Sequence, residues 1–440
     1  MGYIPQIISK VVAMEYCCGC GVCAGVCRQN ALIMQFNRFG EYNPVLTGEC
    51  TDCEQCAKSC PFFPGVPNED DLAAGLYSAV PIIKYRGETG YYLDTFVGYV
   101  PDEQTRWNGA SGGVLTQVLC HLLESGAVDA VVAVKPNRDP EKLFAFTVAK
   151  SADEIKACAK SAYYPVETSE VLQYIIRNEG NYVVTGLPCV CKGIRLAQRH
   201  NKKLKERIKY VLGLTCYGQQ SKEFTQKAYE IFGQREGQAL TDKPVFVCYR
   251  TKDPQFPAKT TIFTAVSADG AKREMPATYG FSRLFFSLEY FVNACFHCDD
   301  VFAECADATF MDAWLKEYEM DPKGTSLVIS RIPELSDYLR QELALSTIPL
   351  PKIVESQQRV LLRKRVYLAR VLQFDKMFGF GMMRKRIVLK KTKLTRESTQ
   401  YLHNYGQYRL KRFRIQNPKL PLGRLLKFHF LKFLVKIWNV

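Results

Sequence analysis

The sequence predicts an α/β chain, α+β overall, in three parts: a small cysteine-rich module, an α/β domain and a basic helical extension. Three observations carry this. Two four-cysteine runs of identical spacing lie within the first 66 residues. From about residue 95, short apolar stretches alternate with helical periodicity, the pattern of strands feeding helices. After Pro349 and Pro351 the composition turns sharply basic. The expected boundaries are 1–66, 67–350 and 351–440. With 440 residues, 47% of them hydrophobic and 23% charged, the chain is in the globular range, neither disordered nor fibrous. No secretory signal is read near Lys10, and no apolar run reaches the roughly 18 residues of a membrane span.

The cysteines open the module. Eighteen of them without a secretory signal read as metal ligands in a reducing cytoplasm, not as a disulfide framework. Cys17, Cys20, Cys23 and Cys27 follow C-x2-C-x2-C-x3-C; Cys50, Cys53, Cys56 and Cys60 repeat it, with Pro61 behind. This is the bacterial ferredoxin spacing for two [4Fe–4S] clusters. Three close thiolates wrap three corners of a cube, and the fourth, turned away, reaches the other cluster. Cys17, Cys20, Cys23 and Cys60 are therefore expected to hold one cluster, and Cys50, Cys53, Cys56 and Cys27 the second. Zinc needs only four ligands, in pairs across a longer loop, and fits two such runs badly. Cys18 sits beside Cys17, but only Cys17 completes the spacing.

Short strands are expected around 31–34 and 42–46. Pro61, Pro64 and Pro67 followed by Asn68, Glu69, Asp70 and Asp71 read as a linker. A strand is expected at 95–100. Ser111-Gly112-Gly113 then opens a helix with Val114, Leu115, Val118, Leu119 and Leu122 on one face, ended by Gly126. Strands at 128–134, 182–185 and 209–214, each of the last two followed by helical periodicity, argue for a largely parallel sheet with helices on its faces. Stretches 260–266 and 325–329 add strands, and the chain turns helical from Glu334. There is no G-x-G-x-x-G between a strand and a helix and no G-x-x-x-x-G-K-[ST], which disfavours a Rossmann NAD site and a P-loop and leaves a flavin open.

A second constellation is dispersed. Cys189 follows the strand end Thr185-Gly186, and Cys216 follows Gly213-Leu214. If those strands are parallel, both thiols lie at the carboxyl edge, where open α/β sheets build their sites. Cys295 and Cys298 form a C-x2-C pair. Together the four could hold a third [4Fe–4S] cluster; equally, Cys189 and Cys216 read as small buried hydrophobes and the pair as a zinc or redox motif. Ser111-Gly112-Gly113 could offer amides to an anion or be an ordinary cap. Lys160 could neutralise a phosphate or be a solvated lysine, and Asp312 and Trp314 alone read as strand-end residues.

These motifs occur in a recognisable order: the two cysteine runs, Ser111-Gly112-Gly113, Lys160-Ser161-Ala162-Tyr163, Gly186-Leu187-Pro188-Cys189, Cys216-Tyr217-Gly218, Cys295-x2-Cys298 and Ala306-Asp307 with Asp312-Ala313-Trp314. Over about residues 10–345 the chain resembles the coenzyme F420 hydrogenase/dehydrogenase beta-subunit family with an N-terminal ferredoxin module. The resemblance implies FAD beside a third [4Fe–4S] cluster on Cys189, Cys216, Cys295 and Cys298. The flavin contacts would be Ser111, Gly112, Gly113, Lys160, Ser161, Asp312 and Trp314. It implies an iron–sulfur flavoprotein oxidoreductase that takes electrons from ferredoxin or another redox partner and reduces an unidentified small molecule. The alternative is an electron-transfer subunit serving a partner enzyme. The family's Gly-Ser-Lys-Tyr reads Lys160-Ser161-Ala162-Tyr163 here, and Met311 replaces a glycine, so the acceptor does not carry over.

The formal charge of +15 is uneven. From Lys352 onward 23 Lys/Arg face 3 Asp/Glu, a charge of +20, and the preceding 351 residues carry −5. A helix is expected at 354–372, with basic clusters at 384–386, 390–391 and 409–414 and an amphipathic stretch at 420–440. The readings are a helix on an anionic membrane at the inner face, or an appendage packed on the acidic body; nucleic acid is disfavoured for want of a binding motif. No proposed ligand lies beyond Trp314, so the redox chemistry is expected to survive removal of the tail.

Overall fold

Between and around the cysteine runs of the computed structural model, which describes residues 3–237, 239–377 and 396–416, the chain forms two short strands. These are β1 (Leu32–Phe36) and β2 (Tyr42–Leu46), paired antiparallel. The acidic run that reads as a linker is instead the first turn of a helix, Glu69–Tyr77. Asn68 accepts from the Asp71 amide and Asp71 accepts from the Asn68 amide, a capping box that satisfies two end donors. Carboxylates in that turn also suit the positive end of the helix dipole. Glu69 turns inward to Lys192 at 3.3 Å.

A hairpin follows, β3 (Lys84–Arg86) with β4 (Gly90–Tyr92). Then come β5 (Asp94–Gly98), β6 (Ala130–Asp139), β7 (Lys142–Ala149), β8 (Tyr182–Gly186) and β9 (Ile208–Leu214). Strands β10 (Phe246–Thr251), β11 (Ile262–Val266) and β12 (Lys272–Pro276) form a separate antiparallel sheet. The chain returns with β13 (Ala308–Asp312), β14 (Ser326–Ser330) and β15 (Ser346–Thr347). The eight-stranded sheet has the order β15-β5-β14-β13-β9-β8-β6-β7. Its centre, β6, β8, β9 and β13, is parallel. Its flanks pair antiparallel, so the sheet is mixed, and the expected parallel arrangement holds for the centre alone. The stretch expected to extend it at 260–266 lies in the smaller sheet, held there by its neighbours β10 and β12.

Alternate residues of the central strands feed two cores, because successive side chains point to opposite faces. On one face Val131, Val183 and Leu212 pack with Val118 and Leu122 of the helix Val114–Glu124. On the other, Val132, Val184 and Val211 pack with Leu172, Ile194 and the N-terminal module's Val22 and Leu32. The cysteine module therefore shares its core with the helices Ser169–Arg177 and Pro188–Gln198. Its approach is close at Gly21, where φ is +79° and a Cβ would stand 2.4 Å from Glu167 Oε2 and 2.6 Å from the Thr168 nitrogen.

The extension is helical at Leu350–Ser356, Gln358–Leu361, Leu362–Tyr367, Leu368–Met377 and Arg396–Gln416. The segment Leu362–Tyr367 is a π-helix. Val371, Tyr401, Tyr405 and Tyr408 bury against Phe291 and Phe296. Arg412 meets Glu41 at 2.5 Å and Glu15 at 3.0 Å, and Arg409 meets Glu15 at 2.9 Å. Within the described residues these tail cations thus lie against carboxylates of the body. The clusters at 384–386 and 390–391 and the stretch 420–440 lie outside the described residues. Among the described residues no helix is long and apolar enough to cross a membrane.

Candidate functional site

The twelve cysteines singled out by spacing fall into three neighbourhoods. In the first, the thiolates of Cys20, Cys17 and Cys60 stand close enough to raise the Cys23 thiol, after burial, which is the larger cause. Cys60 in turn is raised by burial and then by Cys20 and Cys17. In the second, burial and then Cys27, Cys50 and Cys53 push Cys56 up to about 11. The fourth cysteine of each run thus stands with the three leading cysteines of the other. Cys27, Cys50, Cys53 and Cys56 also line one cavity, together with Tyr3 and Leu32. Cys53 is exposed, whereas Cys20, Cys23 and Cys60 are buried. Backbone amides donate to Cys17 from Gly19 and to Cys27 from Ala31, each at 3.4 Å.

The third neighbourhood is assembled from afar. Parallel strands β8 and β9 end at Gly186 and Leu214, so Cys189, at the start of the helix Pro188–Gln198, and Cys216 lie at the carboxyl edge. That helix is fixed by Arg195, whose guanidinium meets the buried Asp307 at 2.5 Å, and Asp307 also accepts from the Val211 amide of β9. Burial and then Cys216, Cys189 and Cys298 raise Cys295. Burial takes Cys216 up to about 11 against the charge of Lys364. Cys189 is held below the usual thiol value, first by a hydrogen bond with Cys18 and also by Lys364. Cys18 interacts with both Cys20 and Cys189, so it stands between the first and third neighbourhoods.

The C-x2-C loop is anchored by the extension. His297 Nε2 lies 2.7 Å from Asp375, whose other oxygen accepts from the Tyr405 hydroxyl at 2.8 Å, all of them buried. Lys364 Nζ donates to Cys298 Sγ at 3.4 Å and to the Asp300 carbonyl at 2.6 Å. Arg363 donates to the Cys295 carbonyl at 3.3 Å and stacks 4.7 Å from the Tyr217 ring. The expectation that the tail can be removed without consequence for the redox chemistry is thereby changed: no ligand lies beyond Trp314, but the cover of the third neighbourhood does.

Next to the third neighbourhood the side chains become cationic. Tyr217 leads through Phe285, at 5.9 Å, to Tyr163, at a further 4.9 Å between rings. Burial raises the Tyr163 hydroxyl, and the nearby Arg250 opposes this. Arg250 pairs with Asp312 at 2.8 Å and lies 5.5 Å from the Trp314 ring. Lys252 donates to the carbonyls of Arg106, Ser111 and Lys323 at 2.5–2.7 Å. Lys160, at φ +85°, donates to the carbonyls of Trp107 and Gly109. The two lysines thus brace the 106–111 loop. Burial and then Lys160, Arg250 and Arg106 drive Lys252 down to about 7. A cavity opens beside them, lined by Lys160, Ser161, Ala162, Cys158, Phe144 and Cys248.

Of the two readings of Ser111, Gly112 and Gly113, an anion cradle or an ordinary helix start, the hydrogen bonds describe the local packing of a helix start. The Ser111 hydroxyl donates to the Thr325 carbonyl at 2.6 Å, and the Gly112 amide donates to the Ser326 hydroxyl at 3.0 Å. Gly113 is the left-handed N-cap of the following helix, φ +80°. A Cβ on Gly112 would stand 2.7 Å from the Gly98 carbonyl oxygen. These glycines admit close packing of β5 and β14. Arg250 on β10 and Lys252 just beyond its end escaped sequence reasoning, since only the fold brings that strand beside Asp312.

Among the described residues no three His, Cys, Asp or Glu side chains converge on a single metal ion. The groups are neighbourhoods of four thiols each. Four thiols without histidine are the donor set of a four-iron cube, one thiolate per iron. The cationic cluster, with Lys160, Lys252, Arg250 and Arg106 near Asp312 and Asp321, has a surplus of positive charge that fits a cofactor carrying a pyrophosphate.

Residues 95–173 match the N-terminal domain of coenzyme F420 hydrogenase/dehydrogenase beta subunits, and residues 179–353 match the C-terminal domain, together more than half of the chain. A coenzyme F420-dependent sulfite reductase of Methanocaldococcus jannaschii is 27% identical over 231 residues, 48% of this chain and 32% of that protein. A coenzyme F420 hydrogenase subunit beta of Methanothermobacter thermautotrophicus is 26% identical over 135 residues, 29% of this chain and 47% of that protein. The similarity thus spans less than half the length of either relative. In fold, the chain is similar to one from the F420-reducing [NiFe] hydrogenase complex of Methanosarcina barkeri. The TM-score is 0.51 at 17% identity, covering 69% of this chain and 98% of that one.

Proposed function

The chain belongs to the coenzyme F420 hydrogenase/dehydrogenase beta-subunit family, and from that premise we propose that it is an iron–sulfur flavoprotein oxidoreductase. The carrying observation is the succession of three four-thiol neighbourhoods, from the exposed Cys53 inward to a cationic pocket. In this reading Cys17, Cys20, Cys23 and Cys60 hold one [4Fe–4S] cluster, Cys27, Cys50, Cys53 and Cys56 a second, and Cys189, Cys216, Cys295 and Cys298 a third. FAD in this reading is held by Lys160 and Ser161 of the cavity together with Asp312 and Trp314 and the Ser111-Gly112-Gly113 turn. Bound clusters supply one-electron transfer, and a flavin converts single electrons to a pair for a small-molecule acceptor.

The chain's own residues set the order. Cys53 faces solvent, where ferredoxin or another redox protein can approach the second set. Cys18 links the first set to the third by its interactions with Cys20 and Cys189. Arg250 holds Asp312 and faces Trp314, and Lys160 and Lys252 position the loop that ends at Ser111. The second reading is a subunit that hands its electrons to a partner protein, favoured by the relative that is a hydrogenase subunit. Activity of the isolated chain separates the two.

The test is anaerobic purification with iron, labile-sulfide and flavin analysis. Three cubes predict about twelve irons per chain and heat-released, fluorescent flavin. Zinc without labile sulfide, or reconstituted protein that binds no flavin, overturns the reading. A pyrophosphate-bearing cofactor should also raise Lys252 from about 7. Its binding should therefore take up protons near neutral pH, visible by calorimetry in buffers of different ionisation heat. The same reading keeps the protein in the cytoplasm. Contact with anionic membrane then rests on the clusters at 384–386 and 390–391 and the stretch 420–440, and is tested by liposome co-sedimentation of the full chain against one ending at Leu350.

A further inference from the structure

The buried cations of the body and of the extension are not alike. Lys192, Arg195, Arg250, Arg365 and Arg412 each meet a carboxylate. Lys364 is 2% exposed, yet among the described residues its hydrogen-bond partners are the Asp300 carbonyl and the Cys298 sulfur. A buried ammonium left without countercharge is strongly unfavourable. A cube held by four thiolates is a net anion, and a site beside Cys298 would supply that countercharge.

The local backbone is built for this contact. Lys364 lies in the π-helical segment Leu362–Tyr367, a wide turn that recurs at functional sites. Three successive residues there reach the body: Arg363 the Cys295 carbonyl, Lys364 the Cys298 sulfur and Arg365 the Glu304 carboxylate. Residue 364 also lies beyond the family's matched C-terminal domain, which ends at 353. The contact is thus made from outside the matched domain's span.

We propose that Lys364 is a positioning residue of the third thiol set, donating an N–H···S hydrogen bond to Cys298 and raising the reduction potential of the cluster bound there. This rests on the reading that Cys189, Cys216, Cys295 and Cys298 hold a cluster. Hydrogen bonds to cluster sulfurs and nearby charge set such potentials. A fixed cation favours the state that has gained an electron, so this cluster becomes the preferred resting place for an electron arriving from the ferredoxin-type pair. The transfer is of one electron, and the lysine keeps its proton.

The experiment is an anaerobic redox titration of the full chain followed by electron paramagnetic resonance, comparing wild type with K364M and K364R. Iron analysis of the wild type comes first: about eight irons instead of about twelve overturns the third-cluster reading itself. With twelve present, K364M should make reduction of one cluster about tenfold less favourable, 59 mV for one electron, with the other two unmoved. K364R should retain most of the wild-type value. Equal potentials in K364M and wild type, or a uniform shift of all three clusters, overturn the proposal. If K364M loses four irons, retention in K364R shows that the charge is required and supports it, whereas loss in both makes Lys364 a packing residue and overturns it.

Discussion

The second and third thiol neighbourhoods hold the same four donors by opposite means. Three of the second set, Cys50, Cys53 and Cys56, come from one short run, with only Cys27 brought from elsewhere, and the set lies at the surface with Cys53 exposed. The third takes Cys189 from a helix start, Cys216 from beyond a strand end and Cys295 and Cys298 from a loop, and is closed by helices from the far end of the chain. A contiguous run holds its ligands by local geometry and leaves one side open to a donor. A dispersed set depends on the whole fold, and in return its surroundings can be dry and charged by design. Damage should therefore be local in the first case and global in the second.

The largest break in that comparison is a chain ending at Ser356. It removes the partners of Phe291 and Phe296 and the cations at Cys295 and Cys298. Thermal unfolding should fall by roughly 10 °C or more. Anaerobic iron should drop toward about eight per chain, because the ferredoxin-type runs keep their own ligands. Asp375→Ala comes next. It strips the buried partner from His297 and from the Tyr405 hydroxyl, and should cost about 3 kcal/mol in denaturant unfolding.

Arg412→Ala should cost somewhat less, about 2 kcal/mol at pH 8, by removing the countercharge of buried Glu41. Its defect should shrink with acid. Burial raises Glu41 above the usual carboxylate value, although Arg412 opposes this. Ionised Glu41 therefore works against folding. Its contribution is whole below the unfolded value of about 4.3 and is lost as pH rises through the folded one. Losing Arg412 steepens that loss, so the gap between variant and wild type at pH 8 should exceed the gap at pH 5. Cys53→Ser is the mildest: one cluster, about four irons, should go while flavin and the third set stay, with less than about 1 kcal/mol change in stability. Loss of the third set's iron in this variant would erase the local–global distinction.

The same distinction decides what could be read in advance. The gathering of the eight cysteines of the two runs into two groups, the fourth of each run beside the other run, was legible from their spacing alone. Cys189 and Cys216 were legible as far as strand ends can be, once the alternation of apolar strand and helix suggested parallel neighbours. Asn68-x-x-Asp71 caps a helix, but beside three prolines it read as a linker. Arg250, Lys252 and Lys364 carried no signal of their own. Each is one cation among 59, and only β10 passing Asp312, or the tail folding back on Cys298, gives it a role. Tail cations such as Arg409 and Arg412 left two readings open, a membrane surface or packing on the acidic body, because sequence shows charge and not the carboxylates that Glu15 and Glu41 present to it. Ser111-Gly112-Gly113 was legible as a helix start, but its polar atoms turned out to serve β14.

The far-end origin of Lys364 bears on how the protein is made. A chain leaves the ribosome N-terminus first, so all four cysteines of the third set emerge before the segment that covers them. During that interval the four thiols lack the contacts that Arg363 and Lys364 make with Cys295 and Cys298. Once the helix through Lys364 and the helix Arg396–Gln416 have docked, the set is covered. The order of synthesis thus places the four thiols first and their cover last, so that whatever they hold must enter before the cover docks or displace it afterwards.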